Sequence, residues 1–393
     1  MTDGRARWAM LALLFTTRIG LGFQFQTMGS ATDSVVHELG LSFAEAGTLI
    51  GLFMIPGLVL SLPAGFAGRY ASDRVLTSAG LALLALGGAV AAMAGGFAGL
   101  AAGRLLCGAG FVLCSIFYTK MTADWFAGHE LATAMAVLVT SWATGIAMGQ
   151  ISHSWLALHY GWRLPFVSAA IYCAVAAVAL MLLYRPPPAV PKAVQVKASA
   201  ALTSREWTLT LLAALVWSAF NCAYVIYLSF APRLLEAGGI DPLSAASIVS
   251  LASWVILISA ATCGAIADRT GRAALILSLA LCCGMAILSL LRHVEWAVPL
   301  SLAYGLLGMA PAGLIMALTE GAMAPHKRAF GMGVFFSLYF LLMAPTPGIA
   351  GWLYDRTHDP YVPILFAVGL FALTFAAHIA YRICRRAWPQ PAS

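Results

Sequence analysis

Residues 264–273 read Gly264-Ala-Ile-Ala-Asp268-Arg269-Thr-Gly271-Arg272-Ala273. This short charged turn separates two apolar runs, about 242–267 and 273–292. Each run is near the roughly 20 residues that a helix needs to cross the hydrocarbon core of a bilayer. A related stretch, Pro63-Ala-Gly-Phe-Ala-Gly-Arg69-Tyr-Ala-Ser-Asp-Arg74, separates the runs about 44–67 and 75–97. Two short basic turns at equivalent places predict a duplicated set of membrane-spanning helices.

Outward from these turns, the rest of the chain has the same texture. Further runs lie at about 8–30, 99–122, 130–157 and 163–184, and at about 207–231, 297–322, 329–354 and 361–383, which gives twelve in all. The chain has 393 residues, 22 Lys and Arg and 15 Asp and Glu, so only 9% is charged and 61% is hydrophobic. A soluble domain carries roughly 25% charged residues. The balance excludes a soluble enzyme, a disordered chain and a nucleic-acid binder. The net charge of +7 is spread through short clusters between apolar runs and implies nothing about DNA.

Local signals set several boundaries. Ser42 with Glu45 and Thr203 with Glu206 are capping boxes, and Asp241 before Pro242 is an N-cap followed by proline. The longest polar stretch, 185–206, holds Pro186-Pro187-Pro188, Lys192 and Lys197. It divides the chain into a six-helix bundle over 1–184, a cytoplasmic linker over 185–206 and a second six-helix bundle over 207–393. With the N-terminus inside, only Arg163, Arg233, Arg292 and Arg356 fall in outer segments, and Arg18, Arg104 and Lys120 fall within spans. All other Lys and Arg are inside, which predicts cytoplasmic termini in the cell (inner) membrane. The basic start and first apolar run are read as a retained first helix, not a cleaved leader.

Four motifs stand in register with this count. They are Gly264 to Arg272; Arg104-Leu-Leu-Cys-Gly108-Ala-Gly110 in span 4; Asp124-Trp125-Phe126 after it; and Gly161-Trp162-Arg163 before span 6. Together they resemble the major facilitator superfamily, with a texture nearest its cyanate/nitrate-like and organic-anion branches. The copy after span 2 is degenerate, with Gly68 or Arg69 where the family has Asp. The resemblance implies an all-α membrane protein of twelve transmembrane helices in two six-helix bundles, the major facilitator fold. It implies that spans 1, 4, 7 and 10 line a central cavity, and that the loop residues Gly264, Asp268, Arg269, Gly271 and Arg272, with Arg69 and Arg74, hold the inner side closed. It also suggests a packing or proton-handling role for Arg104.

Ionisable groups inside spans are costly, by about 2.5–3.5 kcal/mol on insertion scales, so each requires a reason. Arg18 lies near the middle of span 1, with Gly22 and Phe25 on its face and Gln26 beside it. Its guanidinium suits a carboxylate or similar planar anion; the other reading is a structural Arg bonded to backbone carbonyls or another helix. Sixteen residues of span 4 separate Arg104 from Lys120, about 160° around the helix, so they cannot share a face. Lys120 either guards the inner mouth or snorkels to the headgroups. Asn221 and Tyr224, i and i+3 on span 7, and nearby Tyr227 are candidates for substrate or for helix–helix hydrogen bonds. Trp142 and Tyr339 either wall the pocket or pack. The pairs Gly145/Gly149 and Gly331/Gly333 are expected to permit close helix contact.

No Asp or Glu lies at the centre of any span, whereas Arg18 does, and the sign favours an anionic substrate. The eight cysteines show no CxxC spacing, and the histidines, of which only His153 and His378 lie inside apolar runs, show no ligand pair. No metal and no cofactor are expected. The expected partners are a small solute, a coupling proton or counter-anion, and the bilayer, with the chain a monomer. The reading is a secondary active transporter of a small anion by alternating access, in symport or exchange. A multidrug exporter of apolar compounds is the alternative that the Met- and aromatic-rich spans permit. A membrane enzyme or receptor would need a catalytic cluster or an appended domain, and neither is visible.

Overall fold

In lipid an unpaired backbone amide finds no water, so a chain this apolar closes its hydrogen bonds within helices. The computed structural model describes residues 2–68, 70–126, 130–187, 202–324 and 327–388, and all regular structure among them is helical. Among the described residues, twelve helical stretches are long and apolar enough to cross a membrane. Spans 1 to 6 are Arg5–Leu39, Phe43–Ser61, Asp73–Ala92, Phe97–Trp125, Thr133–Tyr160 and Arg163–Leu183. Spans 7 to 12 are Ser204–Ala237, Pro242–Thr270, Ala273–Leu290, Val294–Thr319, Phe330–Thr357 and Tyr361–Ala387.

The caps form as their sequences require. Ser42 and Glu45, and Thr203 and Glu206, exchange both capping-box hydrogen bonds, and Asp241 accepts from the Ser244 amide. Span 8 stops at Gly271, whose φ of 64° is the left-handed conformation that glycine adopts without strain. Several helices outrun the expected spans. The first runs Thr2–Leu39, 38 residues or about 57 Å, against a hydrocarbon core of about 30 Å. Hydropathy marks the part that lipid covers, whereas the helix continues wherever its residues permit. Of the expected linker 185–206, residues 188–201 lie outside the described residues, and Ser204 to Glu206 form the first turn of span 7.

Three spans are broken. Span 2 consists of helices Phe43–Leu52 and Ile55–Ala67, with the break just before Pro56. Span 10 passes from helix Ala297–Ala303 through a π-turn, Tyr304–Gly308, to helix Ala312–Ala322 after Pro311. Span 11 is divided at Ala344 and Pro345 into Arg328–Met343 and Thr346–Thr357. A proline removes an amide donor and crowds the preceding turn, which accounts for the place of each interruption.

The chain separates into two compact units, Met1–Val194 and Gln195–Ser393. In the first, span 1 packs on spans 5 and 6, span 3 on spans 4 and 6, and span 2 on span 4. In the second, span 7 packs on spans 11 and 12, span 9 on spans 10 and 12, and span 8 on span 10. The pairing pattern therefore repeats with an offset of six. Lipid supplies no hydrophobic drive between helices, so close backbone approach at small residues is what holds them. A methyl group at Gly22 would overlap the Trp142 carbonyl oxygen, and one at Gly145 that of Ile19. At Gly149 it would lie 2.9 Å from Gln26 Cβ. Gly331 meets Met323, but a methyl at Gly333 would meet nothing within 4 Å, so only one of that expected pair is a contact. Span 6 buries Phe166, Ala169, Ala170 and Cys173 and exposes Ile171, Val175, Val178 and Leu182 at helical spacing, an apolar stripe suited to lipid.

Candidate functional site

Arg18 projects from span 1 toward span 5 of the first unit. Its Nη1 donates to the Leu138 carbonyl at 2.7 Å and to Ser141 Oγ at 2.9 Å, and lies 3.5 Å from the Val139 carbonyl. Nε is buried without a partner, and Nη2 makes no hydrogen bond among the described residues. Nε and Nη2 point the same way and form one edge of the planar guanidinium, the edge that matches a carboxylate. Cys114 and Tyr118 of span 4 lie close enough to interact with this charge. The Tyr118 hydroxyl is fully buried, with the Thr17 side chain of span 1 beside it. Half of Arg18 is thus a structural tie and half is uncommitted, so both sequence readings have a physical basis.

Arg104 is in the opposite state. It is completely buried, and Nε donates to the Leu49 carbonyl at 3.0 Å. Nη1 donates to the Gln24 carbonyl and Thr27 Oγ1 at 3.2 and 3.3 Å, and Nη2 to the Phe25 carbonyl at 3.3 Å. The ring of Phe53 lies under it at 4.7 Å. It fastens spans 1, 2 and 4 of its unit through neutral acceptors. Neither guanidinium forms an ion pair with a described residue.

Gln26 is not gathered with Arg18. Its amide donates to Gln150 Oε1 on span 5 and to Ser30 Oγ at 3.3 Å. Trp142 stacks with Phe25 and Phe111 at 5.3 and 5.2 Å, in a ring cluster that Phe53 completes.

The side of the first unit that carries its chain termini holds an ion-pair group. Lys120 bridges Asp73, at the start of span 3, and Asp124, 3.1 Å away. It is half-exposed, as its position about 160° from buried Arg104 requires, and it is tied to two carboxylates instead of snorkelling alone. Of the loop residues, Arg69 lies outside the described residues, and Arg74 is half-buried and forms no ion pair with a described residue. Asp268, Arg269 and Arg272 are all exposed, and no hydrogen bond or ion pair joins Asp268 to either arginine. The last turn of span 8 and the turn that follows it carry these three side chains outward. Gly264 has open space where a side chain would go, and Gly271 makes the turn as expected.

In the second unit the polar groups face one another across helices. Tyr224 shares a 2.6 Å hydrogen bond with Ser253 on span 8, and Tyr227 donates to Ser301 on span 10 at 2.9 Å. Asn221 turns its amide back to the Trp217 carbonyl at 2.8 Å. Asn221 and Tyr224 therefore have different partners despite their i, i+3 spacing. Tyr339 packs among Trp217, Phe336 and Phe340. Tyr304, at the π-turn, is stacked on Tyr227 at 4.5 Å, with its hydroxyl buried and unpartnered. At the start of span 7, Glu206 accepts from Lys327 Nζ at 2.8 Å and the Ala324 amide at 3.2 Å, beyond its cap. Sequence reasoning missed Tyr118, Ser141, Gln24 and Asp73. Only Tyr118 carried a usable signal: fourteen residues after Arg104, it lies about 40° from it around span 4.

The family model of the Major Facilitator Superfamily matches residues 13–347. Over 111 residues the chain is 32% identical to Monocarboxylate transporter 12-B of Danio rerio. That match spans 27% of this chain and 22%, about a fifth, of the relative. Among solved structures, a bacterial homolog of the human lysosomal transporter Spinster, inward-facing and unoccupied, superposes with a TM-score of 0.77. It is 17% identical and covers 98% of this chain and 99% of its own. The nucleoside transporter NupG gives a TM-score of 0.73 at 14% identity, over 96% of this chain and 98% of its own. At these identities the likeness is one of fold.

Proposed function

Because the chain belongs to the Major Facilitator Superfamily, a family of transporters and not of enzymes, we propose that it carries a small anion across the membrane by alternating access. The observation that supports this is the uncommitted Nε–Nη2 edge of Arg18 near the middle of span 1. Two unit charges 4 Å apart interact by about 4 kcal/mol at an effective dielectric constant of about 20. With Arg18 and Arg104 both lacking a carboxylate, that field attracts an anion and repels a cationic drug.

In this reading Arg18 grips the planar anion through Nε and Nη2 while Nη1 stays anchored on span 5. The Tyr118 hydroxyl donates to the same ligand. Arg104, bonded at each of its three nitrogens, holds the helices that present Arg18. A monocarboxylate fits both the paired donors and the name of the short-range relative, which makes L-lactate a suitable first probe. Transport proceeds with a proton or in exchange for another anion. The Lys and Arg asymmetry supports a reading with the chain in the cell membrane, both termini cytoplasmic and residues 185–206 as the link between the bundles.

The test is uptake by the purified protein in liposomes. Wild type is expected to accumulate labelled lactate or another small carboxylate, and Arg18→Gln to lose most of that uptake while folding normally. Full uptake by Arg18→Gln would remove the anchor. The ring cluster of Phe25, Phe53, Phe111 and Trp142 favours the second reading, an exporter of apolar compounds. That reading predicts drug sensitivity on deletion, which an anion carrier does not.

A further inference from the structure

Four histidines lie within spans; His37 and His159 are in the last turns of their helices, whereas His153 and His378 lie further inside and differ in surroundings. Neither ring nitrogen of His378 of span 12 has a hydrogen-bond partner, but the backbone of Ala274 and the charge of Arg382 are nearby. His153 of span 5 is completely buried, and neither ring nitrogen has a hydrogen-bond partner. Its ring lies 4.1 Å from that of Phe23 on span 1. A methyl built at Gly149 would lie 3.1 Å from His153 Nδ1 and 2.9 Å from Gln26 Cβ, so the imidazole edge stands next to Gln26. From there a buried polar strip continues: Gln26 to Gln150 and Ser30, and Ser30 Oγ to the Gly149 carbonyl at 3.3 Å. Buried polar groups are nearly always paired, and an exception requires an explanation. An aromatic carbocycle would fill this place beside Phe23 without an orphan donor or acceptor.

The helices packed against span 5 are spans 1, 4 and 6. Their titratable groups within the unit are Arg5, Arg7, Arg18, Asp33, His37 and Glu38 on span 1, Arg104, Cys107, Cys114, Tyr118, Lys120 and Asp124 on span 4, and Arg163, Tyr172 and Cys173 on span 6. Glu38 is paired with Arg163 at the far end of the unit, Tyr172 donates to the Thr16 carbonyl, and none of these groups bonds to the His153 ring. No fixed charge is therefore committed to it, and a proton can come and go without breaking a pair.

We infer that His153 is a proton-binding site of the transport cycle, taking a proton on its free ring nitrogen to become imidazolium and releasing it as the bare imidazole. The inference rests on the transporter reading above. Arg18 and His153 both face the contact of spans 1 and 5, with Ser141, the Arg18 partner, twelve residues or about 18 Å from His153 along span 5. Anion binding at one place and protonation at the other therefore act on the same helix pair. The charge also balances: one proton carried with one monovalent anion leaves no net charge to move against the membrane potential.

Two measurements test it. Full-length protein labelled with ¹⁵N-histidine in liposomes gives ring nitrogen signals, and the one missing in His153→Gln identifies His153. Those signals are expected to change from neutral imidazole to imidazolium as the pH is lowered; a ring that stays neutral throughout overturns the proposal. This arm needs no substrate, so it stands apart from a failure of the anion reading, which would show as no lactate transport by wild type. In the second arm, His153→Gln and His153→Phe are expected to lose at least tenfold in lactate accumulation driven by a pH gradient. Lactate–lactate exchange should stay within about twofold of wild type. Gradient-driven accumulation by either variant at the wild-type level, or equal loss of accumulation and exchange in both, would show that His153 has a packing role only.

Discussion

Arg104 gives its Nε–H to the carbonyl of Leu49, the acceptor left without its helical partner by the break in span 2, where Phe53 turns its amide to Gly51 instead. A buried charge and a buried helix defect thus satisfy each other. Removing one member leaves the other exposed to apolar surroundings without compensation. Arg104→Ala is expected to strand the carbonyl of Leu49, at about 1–3 kcal/mol, and to remove the bonds to Thr27 and to the carbonyls of Gln24 and Phe25, which keep other partners within the first helix. Arg104→Lys should recover only part, since an ammonium cannot span all four acceptors. Thermal unfolding of the purified protein checks this; equal melting of wild type and Arg104→Ala would contradict it.

Ser141 shares the Nη1 of Arg18 with a shorter bond to the Leu138 carbonyl. Ser141→Ala should therefore cost only about 0.6 kcal/mol, the usual worth of an interhelical side-chain bond in a membrane. Its lactate KM should stay within about threefold of wild type. Arg18→Lys should raise KM by tenfold or more, because a single ammonium replaces the paired edge. Similar KM values for the two variants would argue against a bidentate grip.

The two lysine ion pairs differ in solvation. Lys120 is 52% exposed, whereas Lys327 and Glu206 are 11% and 8% exposed and Glu206 also holds the Ala324 amide. Lys120→Ala is expected to change stability by less than about 1 kcal/mol. Glu206→Ala, which abandons a buried ammonium, should cost about 3–5 kcal/mol. Denaturation in matched detergent gives the order directly.

Glycine substitutions separate contact from turn. Gly22→Ala and Gly145→Ala drive a methyl into backbone oxygens and should abolish stable folding, read as loss of a monodisperse peak in gel filtration. Gly333→Ala and Gly264→Ala meet open space and should fold normally. Gly271→Ala lies between, at about 1–2 kcal/mol for the left-handed backbone.

Tyr304 and Tyr227 are stacked, but only Tyr227 has a hydroxyl partner. Tyr304→Phe removes an orphan group and should leave stability unchanged or raised. Tyr227→Phe should lower it by about 0.6 kcal/mol. Melting curves of the two variants distinguish them, and a large loss in Tyr304→Phe would point to a bound partner for its hydroxyl.

Twelve spans, three capped starts and the Gly271 turn were legible in the sequence because hydropathy, capping and backbone conformation are local. They depend on residues within a turn or two of one another. Prolines are tolerated in membrane helices, so those of spans 2, 10 and 11 did not by themselves say that the helix breaks there, which carbonyl is freed or what takes it. Arg18 stood out by its depth alone, whereas its tie to Leu138, 120 residues away, and its open edge depend on how spans 1 and 5 are rotated against each other. The same holds for Asp73 with Lys120 and for Glu206 with Lys327, 47 and 121 residues apart. Composition fixed that this chain lives in lipid and how many times it crosses. Only the packing of helix on helix decided which buried guanidinium has a partner at every nitrogen, which keeps donors in reserve, and which histidines stand without a hydrogen bond. Helix rotation about its own axis costs nothing in local sequence terms and is settled by contacts between segments distant in the chain.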